Sequence, residues 1–176
     1  MPRRFLGPPK PTALTQRLLR ELTAELRSPK ETGQPLILEQ ERDRSRAVHV
    51  TVVWDEWQPC PPEQRSDLIL EAYEQAVGKE YRDRILLANG LTIPHACKLG
   101  LLPYEILPVL DRSDPDYVDE LHQAMIADGA SRLGDPLTPL LCVTTAEEAE
   151  ACVQRLQKRV PRSRWSTVHN EWEPRE

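Results

Sequence analysis

The run Val48 to Trp57 (VHVTVVWDEW) closes on an acid followed by tryptophan, and Thr167 to Trp172 (TVHNEW) closes the same way. Carboxylates and imidazoles are the side chains that move protons and hold metal ions. Alternate residues of a strand share a face, so Trp54 pairs with Glu56 in the first run and His169 with Glu171 in the second. On adjacent strands, Glu56, His169 and Glu171 would gather into an acid/base or metal cluster, the equipment of a small hydrolase or metal-binding protein. The plainer arrangement leaves the acids solvated at strand ends and spends the tryptophans on the core.

Other reactive types are weaker. His95 and Cys97 in PHAC are the residue types of a nucleophile and its base, but side chains two apart on a helix point in different directions. They fit a surface histidine and a core cysteine. Cys60-Pro61 resembles the dipeptide of regulatory haem sites and fits a proline-rich loop equally well. The four cysteines lack CxxC spacing, which disfavours a zinc knuckle or a redox pair. Cys142 and Cys152 read as buried thiols. No phosphate-binding glycine loop, HExxH or GxSxG occurs, so no catalytic motif is found, and neither metal nor cofactor is expected.

Charge divides the chain. Residues 1–30 carry a balance of +5 on a chain whose formal net charge is −5. Arg3, Arg4, Lys10, Arg17, Arg20 and Arg27 could contact phosphates, which keeps nucleic-acid binding as an alternative; an amphipathic helix with solvated arginines needs no such ligand. The opening MPRRFLGPPKP lacks an apolar secretory core and no later run is long enough to span a membrane. A soluble, cytoplasmic protein is expected.

The elements that must position these residues follow from periodicity and caps. After a Pro/Arg-rich tail, residues 1–11, Thr12 caps a helix striped by Leu14, Leu18, Leu22 and Leu26. Residues 36–41 and 47–57 form a hairpin whose second strand is central. The prolines 59, 61 and 62 end it, and a helix with Ile69, Ala72, Tyr73, Ala76 and Val77 runs to Gly78. RILLA (84–88) is a strand, Thr92-Ile93-Pro94 opens a short helix, and YEILPVL (104–110), interrupted by Pro108, is an edge strand or crossover. Asp114-Pro115 starts a helix, residues 134–139 form a loop, 140–143 a buried strand, Thr145 to Glu148 a capping box, and 164–172 the closing strand. The class is α+β, a mixed sheet packed by helices in the order αββαβαβ followed by αβαβ. Residues 12–176 form a single domain, with halves 12–110 and 111–176 as the alternative division.

Residues 36–96 resemble a BolA-like domain, an α-β-β-α-α-β fold akin to the type II KH domain. The resemblance rests on VHVTVVWDEW as second strand, Gln64 to Ala72 (QRSDLILEA) opening the long helix, and RILLANGLT before the short one. It implies an adaptor or regulator. Family members that share an iron–sulfur cluster use a histidine at the helix opening, where this chain has Ser66, and the turn Asp43 to Arg46 has no second ligand. No Gly-x-x-Gly loop is present to clamp a nucleic-acid backbone.

The function expected is therefore a non-enzymatic interaction or regulatory module that engages a protein partner or a second copy of itself. Trp57, Trp172, Arg17 and Arg20 are the candidate binding residues, and the carboxylate enzyme and the nucleic-acid binder remain the alternatives.

Overall fold

The computed structural model describes residues 12–28, 34–42, 46–109, 114–133 and 138–170. The protein is α+β, with two sheets rather than one. Its elements run α1 (Ala13–Arg27), β1 (Leu36–Arg42), β2 (Ala47–Val53), α2 (Pro62–Ala76), α3 (Lys79–Arg82), β3 (Ile85–Leu91), α4 (Ile93–Lys98), β4 (Tyr104–Pro108), α5 (Pro115–Ala127), β5 (Ser131–Leu133), β6 (Thr138–Val143), α6 (Ala146–Arg159) and β7 (Trp165–His169). The expected order lacked α3 and β5. The chain condenses into two compact units that divide chiefly between Gly90 and Leu91.

The first unit has the order α-β-β-α-α-β and a three-stranded sheet β1-β2-β3. The hydroxyl of Thr12 accepts from the Thr15 N–H at 3.2 Å and Thr15 returns the bond, a reciprocal cap at the start of α1. Leu18 and Leu22 are buried, and α1 packs along α2, which buries Leu68, Ile69, Ala72 and Tyr73. Val48, Val50 and Val52 are fully buried on β2. The Val48 N–H donates to the Arg84 carbonyl at 2.9 Å and the Trp54 N–H to the Leu91 carbonyl at 2.9 Å, so β3 runs parallel to β2. Parallel neighbours need a crossover, which α2 and α3 supply. An advance of six residues on β2 matches seven on β3, which places one extra residue, a bulge, in β3.

The expected strand to Trp57 stops at Val53. Asp55–Trp57 is a 3-10 turn, because the Trp57 indole N–H turns back to the Val52 carbonyl at 3.1 Å and the Cys60 N–H bonds the Trp57 carbonyl at 2.9 Å. Pro59, Pro61 and Pro62 could not have continued the ladder. Val77, expected in the α2 stripe, caps that helix instead and is half exposed, while Gly78 at φ 114° turns the chain out of it.

The second unit contains α4 and then the order β-α-β-β-α-β. Its sheet is β5-β6-β4-β7, antiparallel at every pairing, the split βαβ arrangement of ferredoxin-like folds. Ile106, Leu141 and Val143 face a core completed by Tyr117, Leu121, Ala124 and Met125 of α5 and Ala149, Cys152 and Leu156 of α6. Strand β4 was expected at an edge or as a crossover; it is interior, between β6 and β7. Pro108 is tolerated because it is the last residue of the strand. The opposite face of β6 presents Leu140 and Cys142 to α4, in a cluster with Val53, Ala96, Cys97 and Leu102. Among the described residues no helix is long and apolar enough to cross a membrane.

Candidate functional site

Two of the exposed large apolar side chains of the first unit are neighbours on β3. Leu86 is 71% and Leu87 44% exposed, consecutive residues on a strand that ends its sheet. Both side chains are uncovered, on the strand that carries the extra residue. The rest of β3 is closed by α2. The Arg65 guanidinium donates to the Cys60 carbonyl at 2.7 Å and to the Gly90 carbonyl at 3.0 Å, and the Ser66 hydroxyl donates to the Ala88 carbonyl at 2.7 Å. Arg65 is itself buried. A Cβ at position 90 would sit 2.6 Å from Arg65 Cβ, so the close approach of α2 to β3 requires glycine there.

The approach to this strand is fixed by a polar cluster. Both Tyr73 and Tyr81 donate to the Glu39 carboxylate, at 2.5 Å and 2.7 Å. Their rings stack at 5.7 Å. Arg84 lies over the Tyr81 ring at 5.1 Å, bonds the Glu41 carboxylate at 2.5 Å and the Arg46 carbonyl at 2.8 Å. These contacts pin β1 and the hairpin exit to α2, α3 and the start of β3. Burial, and then the Glu39 carboxylate, pushes the Tyr81 phenol up to about 12 and the Tyr73 phenol in the same direction. Both phenols are held neutral as donors, a positioning role and not that of a proton-transfer pair.

The residues singled out in the sequence fall elsewhere. Glu56 sits in the 3-10 turn, where the Arg17 guanidinium bonds it at 2.6 Å and Glu21 at 3.4 Å. Two of the candidates thus meet as an ion pair. Arg20 is exposed and donates to the Gln16 carbonyl at 3.4 Å. Trp57 is fully buried and serves the core of the first unit. His169, in the second unit, stacks on its cross-strand partner Tyr104 at 4.8 Å. Glu171 and Trp172, like Arg3, Arg4 and Lys10, lie outside the described residues. Strand parity, the reason for grouping Glu56 with His169 and Glu171, does not reach Glu56, because the strand has ended.

Cysteine chemistry also differs from expectation. Cys142 is not a thiol: it is bonded to Cys97, 45 residues away in sequence. The His95 Nδ1 lies 2.9 Å from the Thr92 hydroxyl, and Cys97 is engaged by its bridge, which removes any dyad between His95 and Cys97. Cys60 and Cys152 are buried free thiols. Cys152 points its sulfur at Asp128 Oδ2, 3.1 Å away, and Arg155 holds the same carboxylate at 2.9 Å. Burial, and then that carboxylate, raises the Cys152 thiol to about 12, so it is an inert thiol and not a nucleophile. Among the described residues, no group of three His, Cys, Asp or Glu side chains could hold a metal ion.

Comparison with protein families, with curated proteins and with solved structures returned no match.

Sequence reasoning passed over Leu86 and Leu87 because RILLA has the composition of a buried strand.

Proposed function

We propose that the protein is a non-enzymatic interaction or regulatory module that engages a protein partner through the open half of β3. The observation that carries this reading is the exposure of both Leu86 and Leu87 on a sheet-terminal strand. A partner supplying an extended segment would complete the ladder beside Ile85 to Leu87, and apolar side chains on it would cover the two leucines, the strand-addition mode of recognition. The clasp at Ala88 and Gly90 limits that pairing to the first half of the strand.

Residues 36–96, the range of the resemblance, run β-β-α-α-β into the start of α4; only with α1 placed before them is the order that of BolA-like adaptors, and that order supports the adaptor reading. A cytoplasmic location belongs to the same proposal only if the Cys97–Cys142 bridge is reversible, since lasting disulfides belong to oxidising compartments. The test is recovery of a specific partner by the full-length protein and its loss on Leu86→Lys/Leu87→Lys with the fold intact. Sedimentation of the purified protein distinguishes a second copy of the chain from a different partner.

A further inference from the structure

Helix α4 is six residues long, far below the length at which a helix holds its own shape in water. It is kept on the β6 face by Ala96 and Cys97 in a small cluster with Val53 and Leu102, edged by partly buried Leu91, Ile93, Leu101 and Leu140. The covalent tie in that cluster is the bond between Cys97 on α4 and Cys142 on β6, with Cα atoms 5.7 Å apart. The two cysteines differ in burial. Cys97 is buried at 4% exposure, whereas Cys142 is only partly buried. The free thiol of the same unit, Cys152, lies in the core on the other face of the sheet and takes no part.

We propose that the Cys97–Cys142 bridge is a thiol–disulfide exchange site that latches α4 onto β6 and is opened by dithiol reductants. A thiolate of the dithiol attacks Sγ of Cys142, the less buried residue of the pair, and forms a mixed disulfide as the Cys97–Cys142 bond breaks. Cys97 leaves with the electron pair and takes up a proton. The second thiol of the reductant loses its proton and displaces Cys142, which leaves as a thiolate and is protonated. The dithiol departs as a cyclic disulfide, having given two electrons and two protons to the protein. The Leu140 carbonyl, 4.0 Å from Cys97 Sγ, is at hand to accept from the new Cys97 thiol. Once the bridge is open, α4 loses its covalent tie to β6, and its departure uncovers Leu140 and Cys142.

The experiment uses the full-length protein, air-oxidised and then treated with dithiothreitol, with thiols counted by alkylation and mass spectrometry and backbone amides followed by hydrogen exchange. Two alkylatable thiols in the denatured oxidised protein should become four on reduction. Amide protection across residues 92–103 should fall at least about tenfold while β4 to β7 keep theirs, and reoxidation should restore it. Cys97→Ser/Cys142→Ser should show the reduced pattern without reductant and no response to it. Four thiols in the oxidised protein, loss of protection across the whole second unit, or unchanged protection on reduction would each overturn the proposal. If the double variant fails to fold, the reductant series on the wild-type chain decides alone.

Discussion

The Arg65 guanidinium donates to the Gly90 carbonyl at 3.0 Å while Arg65 Cβ occupies the space that a side chain at position 90 would need. That single relationship divides β3 into a half sealed by α2 and a half that presents Leu86 and Leu87. The two residues should be energetically coupled. Arg65→Ala is expected to cost about 1–3 kcal/mol by leaving two carbonyls without their charged donor. Gly90→Ala should be destabilising in the wild-type protein and stay so beside Arg65→Ala, which keeps the Cβ it meets; beside Arg65→Gly, which removes that atom, it should be much milder, with a coupling of about 0.5–3 kcal/mol in a urea-denaturation double-mutant cycle.

Trp57 is fully buried and its indole N–H is bonded to the Val52 carbonyl. Trp57→Ala should destabilise by about 3–5 kcal/mol, seen as an earlier thermal and urea transition. Under conditions where the variant remains folded, partner recovery should match wild type, because the side chain has no surface to offer. Loss of binding without loss of stability would return Trp57 to the interface.

The phenols on Glu39 make a prediction at alkaline pH. Their folded-state pKa values lie above the ordinary value near 10, that of Tyr81 at about 12. Stability from these groups is therefore complete below about pH 10; the Tyr81 share is lost as pH rises through about 12 and the Tyr73 share at still higher pH. Ultraviolet titration of tyrosinate should show Tyr73 and Tyr81 ionising above the ordinary value, and Glu39→Gln should bring Tyr81 closer to it. An unchanged delayed signal in a Tyr73→Phe/Tyr81→Phe variant would contradict the cluster.

In the second unit, Asp128 is held below the usual carboxylate range: burial works against this, and the Arg155 and Cys152 bonds overcome it. Its contribution is present above the ordinary carboxylate pKa and lost as pH falls through the depressed one. Asp128→Asn should cost about 1–3 kcal/mol. It should also speed alkylation of Cys152, whose thiol the carboxylate keeps protonated; an unchanged rate would place that protection in burial alone.

What the sequence disclosed was what neighbours in the chain decide. Thr12, Asp114-Pro115 and Thr145 with Glu148 three residues on marked helix starts that the structure contains, because capping is local chemistry. Lys79–Arg82 and Ser131–Leu133 were missed because four and three residues carry no measurable period. The interior place of β4 depends on β6 and β7, which arrive later in the chain, so Pro108 was read as an edge signal when it only marks a strand end. The partner of Cys97 lies 45 residues off and no spacing rule points to it. Strand parity over Trp54 to Trp57 failed because a tight turn, driven by the Trp57 indole and three nearby prolines, replaced the last residues of the strand.

The most direct measurement compares the full-length protein with Leu86→Lys/Leu87→Lys, quantifying partner recovery from native extract alongside circular dichroism and sedimentation. Both side chains are exposed, so the melting temperature should be unchanged within about 0.5 kcal/mol of stability. A partner, or a second copy of the chain, bound by the wild-type protein should be lost at least about tenfold in the variant. Equal recovery by both proteins, or a strictly monomeric wild-type protein with no specific partner at low and moderate salt, would contradict the assignment of β3 as the binding strand.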